Sequence, residues 1–303
     1  SQPPPAFSPG PVVPAAPQAP RLLTGRLDIG VGNADVLGLV MRLSTGAEIT
    51  GRITVEGGMD LATFAQGSVQ ANRVGVAPVA FAGRVGEIAA VPGAVLGAVA
   101  VPQQQYGRVI LTSADSQQNG TTGIAGADGT FRITGVAAAK YMMSMNPMPP
   151  GAYVKSIRYG GQDITNALLD ASSGAGGVLD IVLSPKAATL SGTARDGSGQ
   201  ALPSRTTIVI WPRTPRVSDP NGGVLTLTTR DEMGTFTAQG VTPGEYYVAV
   251  LQSAAQDFMR APEYLARFNQ TATMVSLREG ETTTVEPKYV PKDVVEKATA
   301  QFP

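Results

Sequence analysis

The sequence predicts an all-β protein, tandem β-sandwiches behind an extended Pro-rich arm. Three observations carry that prediction. Gly and Pro number 36 and 24 among 303 residues, which favours short strands joined by turns over long helices. The phrase Gly-Thr-Phe, followed three residues later by Gly-Val, occurs twice, at 129–136 and 234–241. Each copy is preceded by a similar opener, Ile49-Thr50-Gly51-Arg52-Ile53 in one and Leu190-Ser191-Gly192-Thr193-Ala194 in the other. A unit is therefore repeated.

The arm comes first, at residues 1–23. Residues 1–20 place Pro every few positions and carry no charge. Such a segment forms neither a helix nor a central strand and favours polyproline II. It either packs on its own domain or docks on a neighbouring subunit. Pro3, Pro4, Pro5 and Phe7 are its candidate contact residues.

An apolar run, ADVLGLVMRL, follows at 34–43. It precedes ITGRI just as LDIVLS precedes TLSG, so by position it is the last strand of a repeat whose earlier part is missing. Either the chain is the C-terminal piece of a longer protein, or this strand completes a sandwich elsewhere. A strand without its own sheet carries a row of unpaired backbone groups and needs an edge, in its own chain or another. Val36, Leu37, Leu39 and Val40 are the candidate interface residues here.

The first repeat, with this run, spans 24–184. Its opener leads into a Gly57-Gly58 turn, and 178–183 reads as its closing strand. Between the opener and the Gly-Thr-Phe phrase it is about 36 residues longer than the second repeat. The excess falls near 75–106, where Arg84 and Glu87 are the only charges up to Pro102. It reads either as an enlarged sheet covered within one domain or as a subunit interface through Phe81, Val95 and Leu96.

The second repeat spans 185–303. Thr207-Ile208-Val209-Ile210-Trp211 is β-branched and aromatic, and reads as a central strand. Trp211 belongs to the core on this reading. Phe131 and Phe236 alternate with polar neighbours and point inward. The Gly before each Val, Gly135 and Gly240, suits a positive φ. A Tyr-bearing strand follows each phrase, KYMMSM from Lys140 and EYYVAV from Glu245. One segment, 257–268, has helical spacing, with Phe258, Tyr264, Leu265 and Phe268 on one face. A closing strand is expected at 282–289.

The constellation TLSGTARDGSGQALP, GTFTAQGVTPGEYYVAV and VSLREGETTTVEPKYV resembles the carboxypeptidase regulatory-like domain over 188–290. Residues 48–184 resemble it less closely, because AAAKY at 137–141 replaces the usual PPGxY. The resemblance implies tandem seven-stranded Greek-key sandwiches of the transthyretin or immunoglobulin type. It implies an accessory or structural role and says little about a ligand.

Chemistry is sparse. The chain has no Cys and no His, so it lacks thiolate nucleophiles, Cys or His metal ligands and the commonest general base. No catalytic, cofactor-binding or metal-binding residue is nominated. Glu263, Glu279, Glu281 and Glu286 read as solvated strand-edge carboxylates. Asp196 and Asp219 stand in Gly-containing turns, where Asp serves the turn itself. Asn119 and Asn269 begin formal glycosylation sequons, and Asn119-Gly120 also reads as a hairpin turn.

Lys plus Arg and Asp plus Glu each number 23, which gives no bias toward nucleic acid or anionic membranes. No apolar stretch approaches the roughly 20 residues of a spanning helix. Ser1 at the start fits a mature secreted product. These features point to a non-catalytic, extracellular or cell-surface protein without a cofactor. It is expected to be a homo-oligomer or polymer, the subunit of a filament or surface layer joined through its arm or a donated strand. The alternative is an accessory module that binds a glycan or a surface partner.

Overall fold

The protein is described from a computed structural model, over residues 23, 25, 29–30, 32–33, 35–41, 43, 45–65, 106–115, 120–174, 176–202, 206–252 and 258–302. It is all-β, with its few helices kept outside the sandwiches. Repeat one contains β1 (Ala47–Val55), β2 (Arg108–Ser113), β3 (Gly120–Ile124), β4 (Thr130–Val136), β5 (Lys140–Asn146), β6 (Tyr153–Tyr159), β7 (Gln162–Asp163), β8 (Leu169–Asp170) and β9 (Leu179–Ser184). Its two sheets run β4-β1-β9-β6-β7 and β3-β2-β5-β8. Repeat two contains β10 (Ala188–Thr193), β11 (Thr207–Pro212), β12 (Leu225–Thr228), β13 (Thr235–Val241), β14 (Gly244–Leu251), β15 (Thr273–Leu277), β16 (Thr282–Val285) and β17 (Lys288–Val290). Its sheets run β13-β10-β16 and β12-β11-β14-β15, with β17 also paired to β14.

The openers are the central strands β1 and β10. Each lies antiparallel to the Gly-Thr-Phe strand on one side and parallel to the closing strand on the other. Gly51 stands opposite Phe131 and Leu179, and Gly192 opposite Phe236 and Val285. A Cβ at either glycine would run into the facing ring and into the carbonyl oxygen of Leu179 or Val285. The repeated Gly and Phe are thus one packing device, a ring laid over a residue without a side chain. Period-two alternation does the rest: Ile49, Ile53, Leu179, Ile181 and Leu183 in repeat one are buried, as are Leu190, Phe236 and Val248 in repeat two.

The Gly-Val corners follow the pattern read from the sequence, with φ of 73° at Gly135 and 74° at Gly240. The tyrosine after each corner ties it down. The Tyr141 hydroxyl donates to the Ala137 carbonyl at 2.9 Å, and the Tyr246 hydroxyl to the Thr242 carbonyl at 2.7 Å.

The two repeats share seven strands in the same order and differ in what the connection before β8 and β15 does. In repeat one it forms the β6–β7 hairpin, and β6 pairs with the outer edge of β9. In repeat two it forms a 3-10 turn (Phe258–Arg260) and α1 (Pro262–Ala266). These cover the outer face of β11 and β14 and bury Trp211, Tyr264, Leu265 and Phe268. The single helix expected over 257–268 is broken because Pro262 lacks an N–H and starts a new helix. Trp211 is core, and its indole N–H donates to Asn269 Oδ1 at 2.9 Å.

One expectation needs correction. The closing strand expected at 282–289 is two strands, because Pro287 ends the ladder on β10 and sends Lys288–Val290 across to β14. A second helix, α2 (Lys292–Ala300), follows it. Its buried Val295 joins the α1 cluster, and the Phe302 ring meets Tyr264 edge-on at 5.4 Å. The apolar segment near 75–106 lies outside the described residues up to 105.

Gly192→Ala is expected to destabilise the protein by about 1–3 kcal/mol, the usual cost of overpacking a closed core. Gly197→Ala, where a Cβ meets only open space, is expected to stay near the parent. Urea unfolding followed by circular dichroism measures both.

Candidate functional site

The sequence-nominated residues fall into two groups. Pro3, Pro4, Pro5, Phe7, Phe81, Val95 and Leu96 lie outside the described residues. Val36, Leu37, Leu39 and Val40 are described, and they are 42%, 86%, 51% and 74% exposed. Met41 and Leu43 are exposed beside them. The described residues of the run at 34–43 belong to no ladder within the single chain, and Gly38 turns at φ 75°.

The segment leaves repeat one at a defined end. Ala47 pairs with Val136 at one pole of the β1 sheet, while Val55 pairs with Leu183 at the other. Repeat two is attached at the second pole, through the short link between Ser184 and Ala188. The apolar run therefore emerges from the pole facing away from repeat two.

The two repeats are docked, which the sequence alone did not reveal. The Ala187 N–H donates to the Gly151 carbonyl at 2.9 Å, and the Met143 N–H to the Ser218 carbonyl at 2.8 Å. Ser218 Oγ donates to the Thr165 carbonyl at 2.7 Å, and the Val217 N–H to Asn166 Oδ1 at 2.9 Å. A polar cluster closes the junction. Lys155 Nζ sits 2.5 Å from Glu56 Oε1 and 3.2 Å from Glu279 Oε1, and the Tyr153 hydroxyl donates to Glu279. Burial and the adjacent Glu279 carboxylate push the Tyr153 hydroxyl up to about 12. The Lys155 ammonium, held by two carboxylates, is raised as well. The Glu56 carboxyl is lowered by its hydrogen bond from Lys155, and the Glu279 carboxyl by those from Tyr153 and Lys155.

Beside the junction lies a cleft of about 550 Å³. Met143, Met145 and Met148 of repeat one line one wall, and Arg216, Asn221 and Tyr246 of repeat two the other. Its floor includes an open strand edge. β8 pairs only with Lys140 and Tyr141 of β5, so the edge beyond is met by Ser218 alone among the described residues. In repeat two the corresponding edge of β14 is taken by β17.

A second open edge lies in repeat two. β16 ends its sheet, and no described strand pairs with its outer side. Its pairing with β10 stops at Gly192, whereas β9 accompanies β1 as far as Val55. Past this point a groove of about 580 Å³ is lined by Arg195, Asp196, Gly197, Glu286, Pro287 and Lys288, among others. It sits at the pole of repeat two opposite the junction.

The carboxylates read from the sequence take structural parts. Glu286 faces Arg195 at 3.5 Å, and Glu279 belongs to the junction. Asp196 Oδ1 accepts the Ser198 hydroxyl and the Ser198 and Gln200 N–H groups within its own turn. Among the described residues no group of three or more acidic, His or Cys side chains could hold a metal ion. No described helix is long and apolar enough to cross a membrane.

No family model matches the chain, and no curated protein matches it. Solved structures do match. The chain is similar to the Bacillus anthracis TIE protein at 11% identity and a TM-score of 0.24, over 83% of this chain and 37% of that one. It is similar to a streptococcal ancillary pilin at 10% identity and a TM-score of 0.25, over 80% of this chain and 69% of that one. A minor pilin of Streptococcus agalactiae matches at 15% identity and a TM-score of 0.23, over 61% of this chain and 83% of that one. The chain thus spans little more than a third of the first of these. TM-scores this low fall short of a shared overall arrangement.

The junction is expected to weaken in acid. Carboxyls with lowered folded-state values stabilise above their ordinary range, and that contribution is lost as pH falls through the lowered values. Small-angle scattering between pH 6 and pH 2, reference points set around the usual carboxyl range, is expected to show the repeats separating at the acid end. Lys155→Met is expected to move that separation to higher pH.

Proposed function

We propose that the protein is a non-catalytic, extracellular structural subunit that polymerises into a filament or surface layer by donating its N-terminal region to a second copy. Each repeat is read as a carboxypeptidase regulatory-like domain serving as scaffold. The observation that carries the proposal is the exposed apolar run before β1, with Leu37 at 86% and Val40 at 74% exposure. Six large apolar side chains within eight positions stand in water there. Such a surface marks a site of association. An extended segment that joins a sheet edge pairs its backbone there. Donor and open edge lie at opposite ends of the chain's two repeats, the arrangement that grows head to tail.

A second reading, an accessory module that binds a glycan or an extended partner, has one observation in its favour. The cleft at the junction combines an open strand edge with methionine and arginine side chains. Isothermal titration against a glycan panel, silent for every member, would remove its glycan form.

Sedimentation velocity and electron microscopy of the parent and of Leu37→Asp/Val40→Asp test the first reading. The parent is expected to form concentration-dependent polymers. The variant is expected to stay monomeric with an unchanged melting temperature, since both side chains are already exposed. A parent that remains monomeric at high concentration sinks the proposal.

A further inference from the structure

Resting on that polymerisation reading, we infer that the acceptor is the open flank of the β13-β10-β16 sheet in repeat two of a second copy, and that residues 37–41 enter it as a strand parallel to β16.

The argument begins with the chain's own repeat. Leu37-Gly38-Leu39-Val40-Met41 has the spacing of Leu179-Asp180-Ile181-Val182-Leu183 in β9. Leu37 stands 14 positions before the opener glycine Gly51, and Leu179 stands 13 before Gly192. The two segments therefore stand within one position of each other relative to the repeat that follows them. β9 runs parallel to an opener in the repeat that precedes it, with Leu179, Ile181 and Leu183 turned into the core. The described residues 37–41 belong to no ladder within the chain, and the partner inferred for them is repeat two of a second copy.

Repeat two is also the unit with room. In repeat one the flank beyond β9 is closed by β6. In repeat two the connection that makes β6 has been spent on the helical cover, and β16 has no outer partner among the described residues. β16 is short, and its outer residues Thr282 and Thr284 are exposed. After Val285 the chain leaves for β14, so β10 loses its parallel neighbour past Gly192, and the chain beyond it turns back in the Arg195–Ala201 bridge. The groove bounded by Arg195 and Lys288 opens at this place.

Direction agrees as well. Among the described residues, the hydrogen bonds and ion pairs of repeat two with repeat one come from its near end, through Ala187, Val217, Ser218 and Glu279. β10 and β16 both run from that end toward the free pole. The donor leaves the free pole of repeat one and enters β1 heading inward. When two free poles meet, the donor's chain direction matches that of β10 and β16. Gly38 allows the segment to straighten, because glycine leaves a positive φ at little cost.

The chain has no cysteine, which makes the test direct. By the same alternation Val36 and Val40 share the exposed face of Thr282 and Thr284, so single variants Val36→Cys or Val40→Cys are mixed with single variants Thr282→Cys or Thr284→Cys and treated with a short thiol-reactive cross-linker. The expected product is a species of doubled mass on a denaturing gel, formed only in mixtures of donor and acceptor. Ile124→Cys, exposed on the other sheet of repeat one, is expected to give none with either donor. Polymers that form without any donor–acceptor product would overturn this acceptor and leave the polymerisation reading standing. Cross-linking within one chain of Val40→Cys/Thr284→Cys at high dilution would overturn the second copy as occupant. Absence of polymers in the parent would overturn both.

Discussion

Everything in each repeat hangs on a glycine beneath a phenylalanine ring. At Gly51 and Gly192 three strands meet, an antiparallel neighbour carrying the ring and a parallel neighbour carrying a close carbonyl. A parallel neighbour reaches the opener only after the chain has visited the other sheet and returned. Closing the sandwich therefore brings the last strand against the first, and no side chain fits at the crossing. The tyrosine corners serve the same closure, since they fix the turn that carries the chain from one sheet to the other.

Given that frame, one connection has freedom, and the repeats use it differently. Repeat one turns it into a hairpin that extends a sheet sideways. Repeat two turns it into helical cover for a face, burying an aromatic cluster of Trp211, Tyr264 and Phe268. Burying each such side chain contributes roughly 1.5–3 kcal/mol. The first solution protects an edge and the second protects a face. One connection of this length does not do both, so repeat two keeps its sheet flank open. Its guard is modest: a short Thr-rich strand, with Pro287 and Lys288 just beyond it. Those features discourage indiscriminate pairing without closing the flank.

How much of this was legible in the sequence depends on range. The repeated Gly-Thr-Phe and Gly-Val phrases, the β11 strand and the burial of Trp211 were readable because each rests on local alternation or a local turn. The helix at 292–300 was not, since its buried face amounts to Val295 and little else. The split at Pro287 was readable in principle, because proline cannot continue a ladder. The junction was beyond reach: Tyr153 and Glu279 lie 126 positions apart, and Lys155 and Glu56 lie 99 apart. Charged residues spaced so widely carry no pattern until the fold brings them together. The apolar character of the run before β1 was legible, and the structure adds its exposure, its lack of a ladder among the described residues and the pole from which it leaves.

That pole decides the kind of assembly the chain supports. A two-fold dimer requires one patch to meet a copy of itself. On the proposed reading donor and acceptor are different surfaces, separated by the length of two docked sandwiches. The docking matters as much as the surfaces do. Backbone hydrogen bonds from Met143 and Ala187, together with the Lys155 cluster, hold the repeats in one orientation. A flexible link would let a donor reach back to its own flank. A fixed link keeps donor and acceptor apart and presents both outward. If the proposed polymer forms, the junction favours open growth, and it does so through residues that touch neither end.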